Sequence, residues 1–257
     1  MLWRLLLFLA VAGAAIAGLG YGLVGAAPTA SVGRVALPVG WPKPLPAAHH
    51  RILLLGTSLT RRGDWPELLE ERLRQCATAP LMVERLAQAG AASGWGLEAL
   101  RARLAEAPAP TIIVVEFSGN DASIIHGFPL FVSRHHHREI LQHARDAGAL
   151  PILATMSPAW GWKALARPGQ RRYHALYRDL ARSEGTGLID TISDWRALPL
   201  AARRQALPDN LHPTPAAMEA ITVPAFEAAL RPLVCREAPG TDSETKASLL
   251  DKNAGRL

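Results

Sequence analysis

Cysteine, lysine and continuous basic sequence are scarce in this chain. Its 257 residues include two cysteines and four lysines, so one intramolecular disulfide is the most it can form. The formal net charge of +6 and the pI near 9.9 rest mainly on arginine, scattered in pairs such as Arg61-Arg62, Arg171-Arg172 and Arg203-Arg204. No Lys/Arg run is interleaved with aromatic residues, which excludes the electrostatic footprint of a nucleic-acid binder. The arginine pairs read instead as solvated helix faces. Long loops that would mark an extended polymer groove are also missing.

Charge is absent altogether from Leu5 to Gly33. A signal-peptide core needs ~7–15 apolar residues and a spanning helix ~20. The stretch over 1–27 is long enough to span, and Arg4 in front of it favours a cytoplasmic N-terminus with an exported body. Small residues at Ala15 and Ala17 keep a cleaved signal, and hence a secreted protein, open. Residues 28–50 are proline-rich (Pro28, Pro38, Pro42, Pro44, Pro46) and read as an extended linker that lifts the body off the membrane. Residues 236–257 turn polar without periodicity and read as a disordered tail.

Between these ends, over 51–235, short apolar runs alternate with helical patterns. The strand candidates are 52–55, 81–86, 112–117, 151–155 and 187–189. The helix candidates are 64–76, 97–107, 129–147, 170–183 and 214–230. Trp65, Leu68, Leu69, Leu73 and Cys76 form one apolar stripe on the first helix. Such alternation predicts an α/β fold, with a parallel sheet, right-handed crossovers and helices on both faces.

Chemistry-bearing residues fall where these strands end. Gly56-Thr57-Ser58 follows the first apolar run, at the strand's carboxyl end, where open α/β sheets bind ligands. Ser118-Gly119-Asn120-Asp121 follows the third run. Pro208-Asp209-Asn210-Leu211-His212-Pro213 puts an aspartate three residues before a histidine. A hydroxyl nucleophile needs a base, and the base needs an orienting acceptor. The Asp-x-x-His loop supplies both.

Ser58, Gly90, Asn120 and His212, in that order and with Asp209 before the histidine, resemble the SGNH (GDSL-type) hydrolase family over roughly residues 51–233. The resemblance implies a flavodoxin-like three-layer α/β/α sandwich, with five parallel strands in the order 2-1-3-4-5. It implies a serine esterase with catalytic residues Ser58, Asp209 and His212. Its oxyanion hole would comprise the Ser58 and Gly90 backbone N–H groups and the Asn120 amide. One motif position departs: the family usually carries Asp between the first Gly and the Ser, and this chain has Thr57. In a sheet of that order the first and last helices share a face and end on the side away from the site. This predicts a Cys76–Cys235 disulfide, stabilising by roughly 4–5 kcal/mol on the chain-entropy view. Trp160 and Trp162, in the loop after the fourth strand, are candidates for a substrate wall, and Arg61 for drawing in an anionic substrate. His135, His136 and His137 are spaced ~100° apart on a helix and do not converge, so they read as a solvated face. Neither metal nor cofactor is expected. The expected activity is hydrolysis of small acyl esters, such as O-acetyl groups on glycans. The alternatives are a lysophospholipase or thioesterase on longer acyl chains, or a non-catalytic binding protein of the same fold.

Overall fold

The computed structural model describes residues 35–236. The stretches read as anchor (1–27) and tail (from 237 on) lie outside the described residues. Among the described residues no helix is long and apolar enough to cross a membrane.

Five parallel strands form the sheet: β2 (His50–Gly56), β3 (Leu81–Ala87), β4 (Ile112–Glu116), β5 (Leu150–Thr155) and β6 (Gly187–Asp190). Their spatial order is β3-β2-β4-β5-β6, the 2-1-3-4-5 order that the resemblance implies. The sheet differs in having a sixth strand. β1 (Val35–Ala36) pairs antiparallel with β6, Val35 opposite Ile189. The supposed linker is therefore partly built into the domain. Its Leu45 N–H donates to Leu233 O at 2.8 Å, and Leu37, Trp41 and Leu45 pack on the core. The physical reason is that these apolar side chains are interspersed among the prolines, and β6 otherwise exposes an unpaired edge.

Period-two alternation divides the core. Ile52 and Leu54 of β2 face one layer, with α1 (Trp65–Arg74) and α5 (Val223–Val234). Leu53 and Leu55 face the other, with α2 (Ser93–Glu106), α3 (Leu130–Asp146) and α4 (Gln170–Ser183). Trp65 packs edge-on against Phe226 with ring centroids 5.0 Å apart, joining the first and last helices. Beyond this contact Cys76 and Cys235 form a disulfide with Cα atoms 5.1 Å apart. The Thr78 N–H donates to Val234 O at 2.9 Å beside it.

The last helix is broken where a continuous one over 214–230 is expected. Thr214 caps a first turn, accepting from the Ala217 N–H at 3.3 Å, and Met218–Thr222 then widens into a π turn. Pro224 lacks the N–H that a regular ladder needs there, and the widened turn accommodates its ring.

The histidine run also departs from a solvated face. His135 is exposed, and His136 packs edge-on against Phe128 with centroids 4.6 Å apart. His137 is fully buried. Its Nδ1 donates to Ser133 O at 2.7 Å, and its Nε2 accepts from the Tyr177 hydroxyl at 2.8 Å. Tyr177 in turn accepts from the Phe117 N–H at 2.8 Å. An imidazole sits at this apolar position because each ring nitrogen finds a neutral partner, and burial lowers its pKa.

Candidate active site

The carboxyl ends of β2 and β4 carry the site. Gly56 closes β2, and a Cβ there would fall 2.3 Å from Thr60 Oγ1 and 2.7 Å from Glu116 Oε2. Only glycine fits this approach. Thr57 then caps a helical turn, Ser58–Arg61, its hydroxyl accepting from the Leu59 N–H at 3.2 Å. Thr57 thus performs the local bonding expected of an aspartate at that position. Its N–H and hydroxyl both donate to Glu116 Oε2 at 2.9 Å, and the Thr60 hydroxyl donates to the same oxygen at 3.1 Å. Sequence reasoning missed Glu116. The signal was available, because it is the lone charged residue ending the apolar run Ile112–Val115. Burial pushes its carboxyl up to about 7, against the hydrogen bonds from Thr57 and Thr60 and with the nearby Asp121 charge.

Ser58 is 6% exposed, and its Oγ lies 2.9 Å from His212 Nε2. His212 Nδ1 lies 2.6 Å from Asp209 Oδ2, so the Nδ1 proton points to the carboxylate and Nε2 is left to accept from the serine. Asp209 Oδ1 also accepts from the Leu211 and His212 N–H groups at 3.0 and 2.7 Å. Partial burial raises this carboxyl. The His212 ring and the two backbone donors outweigh that and hold it at about 2. The loop is locked in place. Asn210 adopts φ 65°, its carbonyl accepts from the Trp160 N–H at 2.8 Å, and Leu211 O accepts from Ser157 Oγ at 3.0 Å.

Gly90 and Asn120 approach from neighbouring loops. Gly90 has φ +78°, and a Cβ there would meet nothing within 4 Å, so the glycine is demanded by backbone conformation and faces open space. Its N–H has no hydrogen-bond partner among the described residues. Asn120 Nδ2 donates to Ala91 O at 2.8 Å, tying the amide to the Gly90 loop with one of its two hydrogens. Arg167 holds the other end, Nη2 donating to Asn120 Oδ1 at 3.3 Å and Nε to Gly119 O at 3.0 Å. Asp121 does more than local bonding. Its Oδ1 accepts from the Ser93 N–H at 2.8 Å and so anchors the start of α2.

A cleft of about 320 Å³ opens beside Ser58 and His212, walled by Leu59, Trp65, Leu68 and Met218, with Arg62 and Glu219 also lining it. None of the three expected substrate residues lines it. Arg61 is absent from the lining, its backbone carbonyl accepting from Arg85 Nη1 at 3.2 Å, and the neighbouring Arg62 lines the cleft instead. The Trp160 ring is stacked under the Arg203 guanidinium at 3.6 Å and walls a separate cavity. Trp162 is 61% exposed, with Lys163 Nζ 4.1 Å from its centroid. The apolar wall comes from α1 and the turn after His212, because both pack on the same face as the nucleophile turn. Among the described residues no three His, Cys, Asp or Glu side chains converge as a cation site.

A sequence model of the GDSL-like lipase/acylhydrolase family matches residues 52–220. No curated protein matches the chain significantly. Among solved structures, a putative SGNH hydrolase from Slackia heliotrinireducens is 26% identical, over 70% of this chain and 100% of its own, with a TM-score of 0.56. A lipase/acylhydrolase from Enterococcus faecalis is 18% identical, over 74% of this chain and 100% of its own, with a TM-score of 0.60. A carbohydrate acetylesterase family member from Sinorhizobium meliloti is 18% identical, over 71% of this chain and 96% of its own, with a TM-score of 0.53.

Proposed function

The chain belongs to the GDSL-like lipase/acylhydrolase family and is an ester hydrolase; from that premise we propose that it cleaves small acyl esters through a Ser58 acyl-enzyme. The observation that carries this reading is the continuous relay of Ser58 Oγ, His212 and Asp209, at 2.9 and 2.6 Å. Ser58 Oγ attacks the acyl carbonyl while His212 Nε2 takes its proton, and Asp209 stabilises the imidazolium that forms. The carbonyl oxygen becomes an oxyanion. The Ser58 N–H, the Gly90 N–H and the second hydrogen of the Asn120 amide are the donors suited to receive it. Collapse expels the alkoxide, which takes the proton from His212 and leaves as the alcohol. Water, deprotonated by the same histidine, then releases the carboxylic acid and restores the serine.

In this proposal the acyl group is small, such as an O-acetyl on a glycan. The apolar side of the cleft supports a second reading. Leu59, Trp65, Leu68 and Met218 offer an acyl chain longer than acetyl an apolar wall. The intact relay argues against a non-catalytic binding protein. Export and membrane anchoring belong to the proposal on the uncharged stretch from Leu5 to Gly33 alone.

The test is a series of p-nitrophenyl esters from acetate to palmitate, with Ser58→Ala as control. Replacement of Ser58 is expected to lower turnover ~10³-fold or more with the fold retained. Unchanged turnover would remove Ser58 as the nucleophile. A maximum at acetate or butyrate supports the small-ester reading, and one at octanoate or beyond replaces it by the long-chain reading.

A further inference from the structure

Exposed apolar side chains gather at the end of the sheet that carries the site. Eight large ones stand exposed among the described residues. Five of these lie on segments that follow the carboxyl ends of β4, β5 and β6: Ile124, Ile125, Trp162, Leu165 and Leu200, each between 60% and 79% exposed. The Ile124 N–H donates to Ala166 O at 3.0 Å, which joins the loop after β4 to the short helix Gly161–Leu165. Leu200, in the short helix Leu200–Ala206, shares a cavity with Gly161, the neighbour of Trp162. Single apolar residues scattered over a surface need no explanation, whereas a group joined in this way marks an interaction site.

Two further observations identify the occupant. β1 runs antiparallel to β6, with Val35 opposite Ile189 and Ala36 opposite Leu188. The chain therefore enters β1 at the carboxyl end of β6, two strands from β5, or ~10 Å. In sequence one residue, Arg34, separates that entry from the uncharged stretch Leu5–Gly33, which exceeds the ~20 residues needed to cross a bilayer. A bilayer holding that stretch faces this end of the sheet and not the opposite one. The chemistry of the group also suits the boundary between headgroups and acyl chains. Lys163 Nζ lies 4.1 Å from the Trp162 centroid, the pairing in which a ring sits at the boundary while the ammonium reaches the phosphates. Neither 122–130 nor 156–172 contains Asp or Glu, so these segments do not oppose an anionic headgroup layer, and the net charge of +6 favours one.

We propose that this rim docks on a lipid bilayer, with Ile124, Ile125, Trp162, Leu165 and Leu200 at the boundary of headgroups and acyl chains, so that the site at Ser58 works at the lipid surface. The docking stands apart from the esterase reading. Its consequence, that the ester is taken from molecules lying at that surface, rests on that reading.

Cys76 and Cys235 are paired, so a single introduced thiol can carry a polarity-sensitive fluorophore on the full chain. The label is placed at Ile125→Cys and, separately, at Val39→Cys. Val39 is exposed beside Trp41, whose ring packs on Gly187 at the start of β6, the end of the sheet away from the site. With vesicles of phosphatidylcholine and phosphatidylglycerol, the Ile125 label is expected to shift its emission to the blue and to be quenched by lipids brominated in the acyl chains. The Val39 label is expected to do neither. Adding Leu165→Asp to the Ile125-labelled chain should lower the ratio of docked to undocked rim ~10-fold or more. Thermal melting checks that each variant folds. An Ile125 label that ignores the vesicles, equal changes at both labels, or a ratio that Leu165→Asp leaves unaltered overturns the proposal. Shielding of the Ile125 label from iodide before lipid is added also overturns it, in favour of a protein cover, either the chain's own N-terminal stretch or a second copy. A second arm measures turnover: Leu165→Asp should slow hydrolysis of a vesicle-borne ester and leave soluble p-nitrophenyl acetate unchanged, and equal rates relative to wild type on both esters overturn the substrate consequence. Because the label is read without substrate, loss of the esterase reading leaves the docking result standing.

Discussion

Glu116 offers the sharpest physical test of the site's foundations. Its carboxyl is 3% exposed at the end of β4, and three donors from the nucleophile turn converge on Oε2. Burial raises its pKa from an ordinary 4.5 to about 7. The native state therefore keeps this proton at pH values where the unfolded chain has lost it. Its contribution to stability is fully present below ~4.5 and is lost as the pH rises through about 7. At ~1.4 kcal/mol per pH unit, the interval from 4.5 to about 7 is worth on the order of 3 kcal/mol. The perturbation is Glu116→Gln, which keeps the shape and removes the titration. Urea unfolding of both proteins at pH 5 and pH 8 isolates the group, because every other titrating residue cancels in the double difference. Wild type is expected to lose ~2–3 kcal/mol more than the variant over that span. A double difference near zero refutes the raised pKa. A difference of opposite sign shows that the Thr57 and Thr60 bonds, not burial, govern this carboxyl.

Asn120→Ala is expected to lower kcat ~10²–10³-fold with KM little changed, read from steady-state kinetics on a p-nitrophenyl ester; an equal kcat would remove the amide from the oxyanion site. Replacing both Cys76 and Cys235 by Ala opens a covalent loop of 159 residues, and ~5 kcal/mol of stability is the ceiling from chain entropy. Calorimetry should show a Tm lowered by ~10–20 °C, and a shift below ~3 °C would mean that the α1–α5 packing alone holds the ends together. Met218→Trp narrows the cleft beside Ser58 and should reduce kcat/KM for hexanoate ~10-fold more than for acetate. Parallel losses on both esters would place the acyl chain elsewhere.

Sequence pattern made the scaffold legible because the strands are buried on both faces. Ile52–Leu55 and Ile112–Val115 are unbroken apolar runs, and each ends at a residue that needs a special conformation or contact. The relay was legible too, since Asp209 and His212 are three residues apart and local bonding alone brings them together. Other features depended on contacts distant in sequence. Nothing near Thr57 announces that Glu116, 59 residues on, will accept its N–H. His137 reads as solvated because it is one of three successive histidines, yet it shares the buried stripe of Leu130, Ser133, Ile140, Leu141 and Ala144, and Ser133 O and the Tyr177 hydroxyl make its burial tolerable. Trp160 and Trp162 sit at the right edge of the sheet. Which way a loop residue turns is set by partners such as Arg203, which no local pattern specifies.

The arrangement of β2 and β4 explains why chemistry gathers at this rim. β2 lies between β3 and β4, so the chain crosses over in opposite directions on leaving β2 and on entering β4. At such a switch point the loops diverge and leave a crevice. Gly56 and Glu116 are directly paired across it. That single register places the nucleophile turn over a buried carboxylate, and it sets Asn120 four residues beyond, within reach of the Gly90 loop. A shift of one residue in the β2–β4 register would exchange the two faces of the strand and separate Ser58 from Asn120. The nucleophile turn, its buried carboxylate and the oxyanion amide are therefore consequences of one strand pairing.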